Sequence, residues 1–173
     1  MSEKIQMLFS EKEVDRRINQ IASEISEKYQ GKELHLVCVL KGGVFFMCEL
    51  AKRISVPVTM DFMALSSYGN STESSGYITM KKELDESIEG KHVLIVEDIV
   101  DSGRTLKYLS AELNRRNPAS LELCTLLDKP ERRVTEIKAD YTCFEIPDKF
   151  VVGYGLDYAQ KYRNLPYIGI IEP

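Results

Sequence analysis

Apolar residues along this chain switch repeatedly between helical and extended spacing. Val14, Ile18, Ile21 and Ile25 recur on one helical face, behind Ser10 and Glu13, which form a capping box; Gly31 ends the helix. Leu34 to Leu40 reads as a buried strand, Lys41-Gly42-Gly43 as a turn, and the segment to about Arg53 as a second helix. Val56 to Leu65 and Tyr77 to Met80 are further strands, separated by residues 66–76, which contain no aliphatic side chain. Gly90 turns the chain into a strand over residues 93–97. The next helix runs from Gly103 to about Asn117, with Leu106, Leu109 and Leu113 on its apolar face and Pro118 as its stop. Ser120 to Leu127 and Asp140 to Phe144 are strands, and Phe150 to Val152 and Ile168 to Ile171 are short apolar segments. This alternation predicts an α/β fold, one domain over residues 1–173, with a mostly parallel central sheet and helices on both faces. Ligands of such sheets bind beyond the carboxyl ends of the strands. The turns at 40–43, 97–105 and 127–130 lie at such ends and are expected to share one crevice.

The turn after residue 96 carries the densest chemistry. A run of four apolar residues, Val93 to Val96, leads directly into Glu97 and Asp98, and Asp101, Ser102, Gly103, Arg104 and Thr105 follow. Small residues at a helix start leave free backbone N–H groups, and such groups hold phosphate. Carboxylates do not grip a phosphate; they suit hydroxyls, a metal ion or a proton. A sugar phosphate with free hydroxyls, bound with magnesium, satisfies both halves of the pattern. An ordinary strand, turn and helix with solvated acids is the bland alternative.

Bulk properties narrow the classes. The 173 residues suffice for a sizeable core, with 43% hydrophobic and 29% charged residues. A net charge of −4 and a pI near 5.4 argue against nucleic acid as the main partner. Cys38, Cys48, Cys124 and Cys143 form no C-x-x-C pair and read as small core residues of a reducing compartment. Met1 to Phe9 lacks the pattern of a signal peptide, and no run approaches the ~20 apolar residues that span a bilayer, so a cytoplasmic location is expected. His35 and His92 sit beside strand starts and read as structural, which leaves the carboxylates as candidate bases.

The segment from Val93 to Leu106 resembles the ribose-phosphate signature of the type I phosphoribosyltransferases, in the order hydrophobic strand, acidic pair, Asp-Ser-Gly, Thr. Other stretches resemble the purine branch of that family, whose hypoxanthine-guanine enzymes combine Leu-Lys-Gly-Gly at 40–43, Asp-Lys at 128–129 and Phe-Val-Val-Gly-Tyr at 150–154. Leu-Asp-Tyr at 156–158 and Arg163 complete the series, so the likeness spans residues 34 to 171. Arg104 is a mild departure, since lysine is common there in relatives.

The resemblance implies a type I phosphoribosyltransferase fold with a mobile active-site loop, in which Ser67 and Tyr68 close a lid over 66–76. It implies transfer of ribose 5-phosphate from 5-phosphoribosyl-1-pyrophosphate to N9 of hypoxanthine or guanine, with Mg2+ as cofactor. Asp101 is then the acid–base residue at purine N7. Ser102, Gly103, Arg104 and Thr105 receive the 5-phosphate, while Glu97 and Asp98 take the ribose hydroxyls and help place magnesium. Lys41, Gly42 and Arg163 face pyrophosphate, with Asp157 at a second magnesium. Lys129 marks O6, Phe150 stacks on the ring, and the Val151 carbonyl accepts from a 2-amino group. In this family the peptide before the lysine can be cis, and the enzymes usually associate, here as a dimer or tetramer. Two rivals stand beside this reading: a donor-binding regulator of the same fold that acts on RNA, and a phosphoacceptor signalling domain.

Overall fold

A computed structural model describes residues 4–68 and 77–172. The chain runs β1 (Lys4–Phe9), α1 (Glu11–Lys28), β2 (Leu34–Leu40), α2 (Val44–Arg53), β3 (Val58–Tyr68), β4 (Tyr77–Lys82), β5 (His92–Val100), α3 (Arg104–Asn114), β6 (Ser120–Asp128), a 3-10 turn at Pro130–Arg132, β7 (Tyr141–Glu145), β8 (Val151–Val152) and β9 (Ile168–Glu172). Six strands form the central sheet in the order β4-β3-β2-β5-β6-β7. All neighbours in it are parallel except β3 and β4, which pair antiparallel.

The strand period of two decides which helix each side chain meets. Leu34, Leu36 and Cys38 of β2 and Leu94 and Val96 of β5 join Ile18, Ile21, Phe46 and Leu50 in one core under α1 and α2. The intervening Val37, Val93 and Ile95 face the opposite way and pack with Leu106, Leu109 and Leu113 of α3. Both faces are therefore covered, as the near-continuous apolar runs require. The capping box forms as expected, with the Ser10 hydroxyl accepting from the Glu13 N–H and the Glu13 carboxylate accepting from the Ser10 N–H.

Three differences from the sequence expectation matter. β1 belongs to a second, three-stranded sheet, β1-β9-β8, in which Lys4 to Phe9 pairs antiparallel with Ile168 to Glu172. Its partner lies at the far end of the chain, so local pattern gives no hint of it. β5 does not end at residue 97; its ladder with β6 continues through Ile99 and Val100, which places Glu97 and Asp98 on the strand itself. α3 ends at Asn114, short of the expected Asn117, and Asn117 takes a left-handed φ of 53°.

Candidate active site

The carboxyl ends of β2, β5 and β6 lie side by side in the sheet, and the turns that follow them converge. Residues 97–105, the end of β5 and the turn into α3, carry the centre of the crevice and wall two adjoining cavities. One, about 200 Å3, is lined by Val39, Leu65, Glu97 and Ile99 and by Asp101, Ser102, Gly103, Thr105 and Leu106. The other, about 250 Å3, is lined by Asp98, Ile99, Asp101, Lys129, Phe150, Val151, Leu156 and Asp157. Ile99 and Asp101 belong to both. Small-molecule sites usually span ~300–1,000 Å3, so each cavity alone suits only part of a ligand. A larger cavity, about 360 Å3, lies at the amino ends of β2 and β5 around Lys32, His35, Lys91 and His92, away from these acids.

The first cavity offers free backbone donors suited to an anion. Gly103 precedes α3 with φ of 83°, a conformation that favours glycine, and a side chain there would meet Thr135, Ile137 and Arg133. Among the described residues the backbone N–H groups of Gly103, Thr105 and Leu106 carry no hydrogen bond, while the Arg104 N–H donates to the Ser102 hydroxyl at 3.4 Å. These are the free donors of a helix start, and the positive end of the α3 dipole reinforces them. The Arg104 side chain is exposed and lines neither cavity.

Glu97 is buried and Asp98 half-buried beside it. Burial pushes the Glu97 carboxyl well above the ordinary range, and the Asp98 charge and a hydrogen bond to it add to the shift. Burial also raises Asp98, against the hydrogen bonds it accepts from Glu97 and from the Ile99 N–H. Two carboxyls in contact in so dry a place oppose each other's ionisation, and hydroxyl donors or a cation would relieve that repulsion. Gly42 sits against this pair: a Cβ there would run into the Asp98 carboxylate, and a Cβ on Gly155 would run into the Gly42 carbonyl. The Leu40–Lys41 peptide is cis.

At the second cavity, Phe150 is half exposed and meets Tyr158 edge-on at 5.6 Å, so it belongs to the pocket wall and not to the core. Lys129 is buried, with Asp148 as its counter-ion at 3.8 Å. Arg163 pairs with Asp157 at 2.9 Å and donates to the Gly155 carbonyl at 2.6 Å. Lys41 reaches the Gln160 side-chain oxygen at 3.4 Å, and Arg163 reaches the same atom at 3.4 Å. Among the described residues no three acid, histidine or cysteine side chains converge as a metal cage. Ser67 and Tyr68 end β3; their side chains and residues 69–76, where the sequence places the lid, lie outside the described residues.

His35 and His92 bond Thr59 and Ser120, each at 2.7 Å, far from the acids, in keeping with structural roles. Sequence reasoning gave no site role to Ile99, Leu156, Arg132 or Asp148. Ile99 was legible as the apolar residue after the acid pair. Arg132 and Asp148 are ordinary loop charges in sequence, and only the fold brings them to the crevice.

The comparisons agree with this geometry. The model of the phosphoribosyl transferase domain matches residues 5–159. A hypoxanthine-guanine phosphoribosyltransferase of Bacillus subtilis is 50% identical over 167 residues, covering 96% of this chain and 93% of the relative. A hypoxanthine-guanine phosphoribosyltransferase of Bacillus anthracis, solved with a HEPES molecule in its active site, superposes with a TM-score of 0.94 at 44% identity and covers 99% of this chain and 100% of that one. A hypoxanthine phosphoribosyltransferase of Staphylococcus aureus gives a TM-score of 0.94 at 48% identity, over 97% and 91% of the two chains. These relatives are named as enzymes, so the reading as an RNA-acting regulator gains no support, and the signalling-domain reading falls with the family match. This chain belongs to the phosphoribosyl transferase family, in its hypoxanthine-guanine branch.

Proposed function

We propose that this protein works in purine salvage, moving ribose 5-phosphate from 5-phosphoribosyl-1-pyrophosphate to N9 of hypoxanthine or guanine. The products are IMP or GMP and pyrophosphate. One observation carries the reading beyond family membership: a single segment, 97–105, from the end of β5 into α3, walls both an anion cradle and a pocket with a buried lysine and a half-exposed phenylalanine. A transferase needs that adjacency, because the bond to be made joins the contents of the two cavities.

In the reaction, the bond from C1 of the ribose to the pyrophosphate oxygen breaks and the bond from C1 to N9 forms. The 5-phosphate rests on the N–H groups of 102–106, with the Ser102 and Thr105 hydroxyls. Glu97 and Asp98 take the 2- and 3-hydroxyls, and their negative charge favours a sugar that becomes positive in a dissociative transition state. Asp101 accepts the N7 proton of the base. Lys129 donates to O6, Phe150 covers the ring, and the Val151 carbonyl accepts from the 2-amino group of guanine. Lys41, the Gly42 backbone and Arg163 meet the leaving pyrophosphate.

The donor set fits magnesium. Mg2+ keeps several waters and binds through one or two carboxylates together with substrate phosphates, not in an all-protein cage. Asp98 and Asp157 on one cavity, with Glu97 beside Asp98, meet that description. Glu97 and Asp98 would hold one ion beside the ribose hydroxyls and Asp157 a second, which would neutralise charge on the pyrophosphate as it leaves.

Four free cysteines support a reducing, cytoplasmic setting, and no helix among the described residues is long and apolar enough to cross a membrane. A homo-oligomer, dimer or tetramer, is part of the proposal; sedimentation tests it. The activity is tested by a spectrophotometric assay with the donor, Mg2+ and each purine in turn. IMP and GMP formation with release of pyrophosphate is the expected result. No product with any 6-oxopurine would overturn the reading.

A further inference from the structure

Asp101 and Lys129 are joined by two further charges. The Arg132 Nε donates to Asp101 Oδ1 at 2.8 Å. The same guanidinium lies 3.5 Å from Asp148 Oδ2, and the other Asp148 oxygen lies 3.8 Å from the Lys129 ammonium. The charges alternate in sign along the chain Asp101, Arg132, Asp148, Lys129, and both ends open on the base cavity. The two middle members line neither cavity, and each is about half exposed.

Each end keeps a free valence. Among the described residues Asp101 Oδ2 accepts no hydrogen bond, and the Lys129 ammonium has an ion-pair neighbour but no hydrogen-bond acceptor. A buried ammonium without a partner is costly, and a carboxylate at 3.8 Å offsets the charge while leaving its protons unspent. A guanidinium that binds one carboxylate oxygen restricts where the group sits and leaves the second oxygen to act. Arg132 is held for this task by the 3-10 turn Pro130–Arg132, directly after Lys129. Arg133, next in sequence, donates from Nε to the Asp101 carbonyl at 3.2 Å and ties the two segments together.

We infer that Arg132 and Asp148 are positioning residues that clamp Asp101 and Lys129 at the mutual placement that a 6-oxopurine requires. N7 and O6 lie on one edge of that base, so the carboxylate and the ammonium must present themselves together. The inference rests on the roles proposed above for Asp101 and Lys129. It adds that neither is set by its own backbone alone and that the two are coupled through charges outside the pocket.

The test uses full-length protein with Arg132→Ala, Arg132→Lys, Asp148→Asn and the double variant Arg132→Ala/Asp148→Asn. Kinetics are measured with hypoxanthine and with 5-phosphoribosyl-1-pyrophosphate as the varied substrate. Misplacing a catalytic group is expensive but Arg132 and Asp148 are half exposed, so kcat/KM for hypoxanthine should fall roughly 3- to 30-fold in each alanine or asparagine variant. KM for the donor should stay within about twofold, because the anion cradle is untouched. Arg132→Lys keeps one charge-assisted bond and should recover part of the loss. The double variant should lose no more than the worse single variant, the sign of two residues acting as one unit.

Equal losses toward base and donor, additive effects in the double variant, or no rescue by lysine would overturn the clamp. Wild-type protein that makes no IMP would instead overturn the activity itself, so the two failures are distinct. Should Arg132→Ala fail to fold, by circular dichroism, Arg132→Gln carries the same comparison.

Discussion

A side chain on Gly42 would run into the Asp98 carboxylate, so the turn after β2 and the acid pair of β5 share one boundary. Gly42 is closed from the other side as well, because its carbonyl fills the space a Cβ on Gly155 would need. Two loops and a strand distant in sequence thus meet backbone to carboxylate and backbone to backbone. Gly42→Ala should therefore push the 40–43 turn away from Asp98. Overpacking costs ~1–3 kcal/mol, a melting temperature lower by several degrees, and a displacement of about 1 Å at a site can cost ~10²-fold in turnover. Melting curves and kcat together check this. An active Gly42→Ala protein with unchanged donor KM would show that the contact is slack.

Asp101→Asn should retain donor binding and lose turnover. The amide keeps the shape and can still accept from Arg132, but it takes no proton from N7. General acid–base help is typically worth ~10²–10⁴-fold, and the loss should fall in that range. Calorimetric titration with the donor separates binding from chemistry. Wild-type turnover in this variant at every pH would remove Asp101 from the proton path.

Much of this site can be read in the sequence, and the reasons divide cleanly. Glu97, Asp98, Asp101 and the small residues after them are near neighbours in sequence, so their shared place follows from chain order. Lys129 could be placed because strand ends of a parallel sheet converge, whereas Asp157 follows β8 of the other sheet and could be placed only from Leu-Asp-Tyr and Arg163. The extent of β5 could not: acids read as the end of a strand, whereas the ladder to β6 continues through Ile99 and Val100. β1 escaped because its partner β9 lies at the opposite end of the chain. Arg132 and Asp148 escaped for a different reason. Loop charges are mostly solvated, and only the tertiary fold sets Arg132 against Asp101.

The cysteines offer a check on the core. Cys48 is exposed, whereas Cys38, Cys124 and Cys143 are buried. Burial pushes the Cys38 and Cys143 thiols up to about 12 and the Cys124 thiol well above its ordinary value. The reactive species is the thiolate, so the buried three should stay inert well into the alkaline range. An aromatic disulfide reagent at pH 8 should titrate one thiol in native protein and four in guanidinium chloride. Raising the pH to about 10 should leave the native count at one, since the raised values keep the buried thiols protonated there. A second fast thiol in native protein would mean that the sheet opens more readily than its packing implies.

Lys129→Ala should weaken base recognition far more than donor binding. The lysine is buried at the base cavity, with no hydrogen-bond acceptor among the described residues, and its proposed partner is the purine O6. Its loss removes that donor and leaves Asp148 with Arg132 as its remaining cation at 3.5 Å. Deleting a hydrogen bond to a charged group typically costs ~1.5–3 kcal/mol, so KM for hypoxanthine and guanine should rise about 10- to 150-fold. The donor KM should hold, because the free N–H groups at the start of α3 are untouched. Discrimination among purines follows from the same atom. Adenine presents an amino group where the 6-oxopurines present a carbonyl, and an ammonium cannot donate to it, so wild-type protein should make no measurable AMP under conditions that give IMP. The alanine variant should narrow that gap by losing hypoxanthine, not by gaining adenine. Efficient AMP formation by wild type, or an unchanged hypoxanthine KM in the variant, would move O6 recognition away from Lys129.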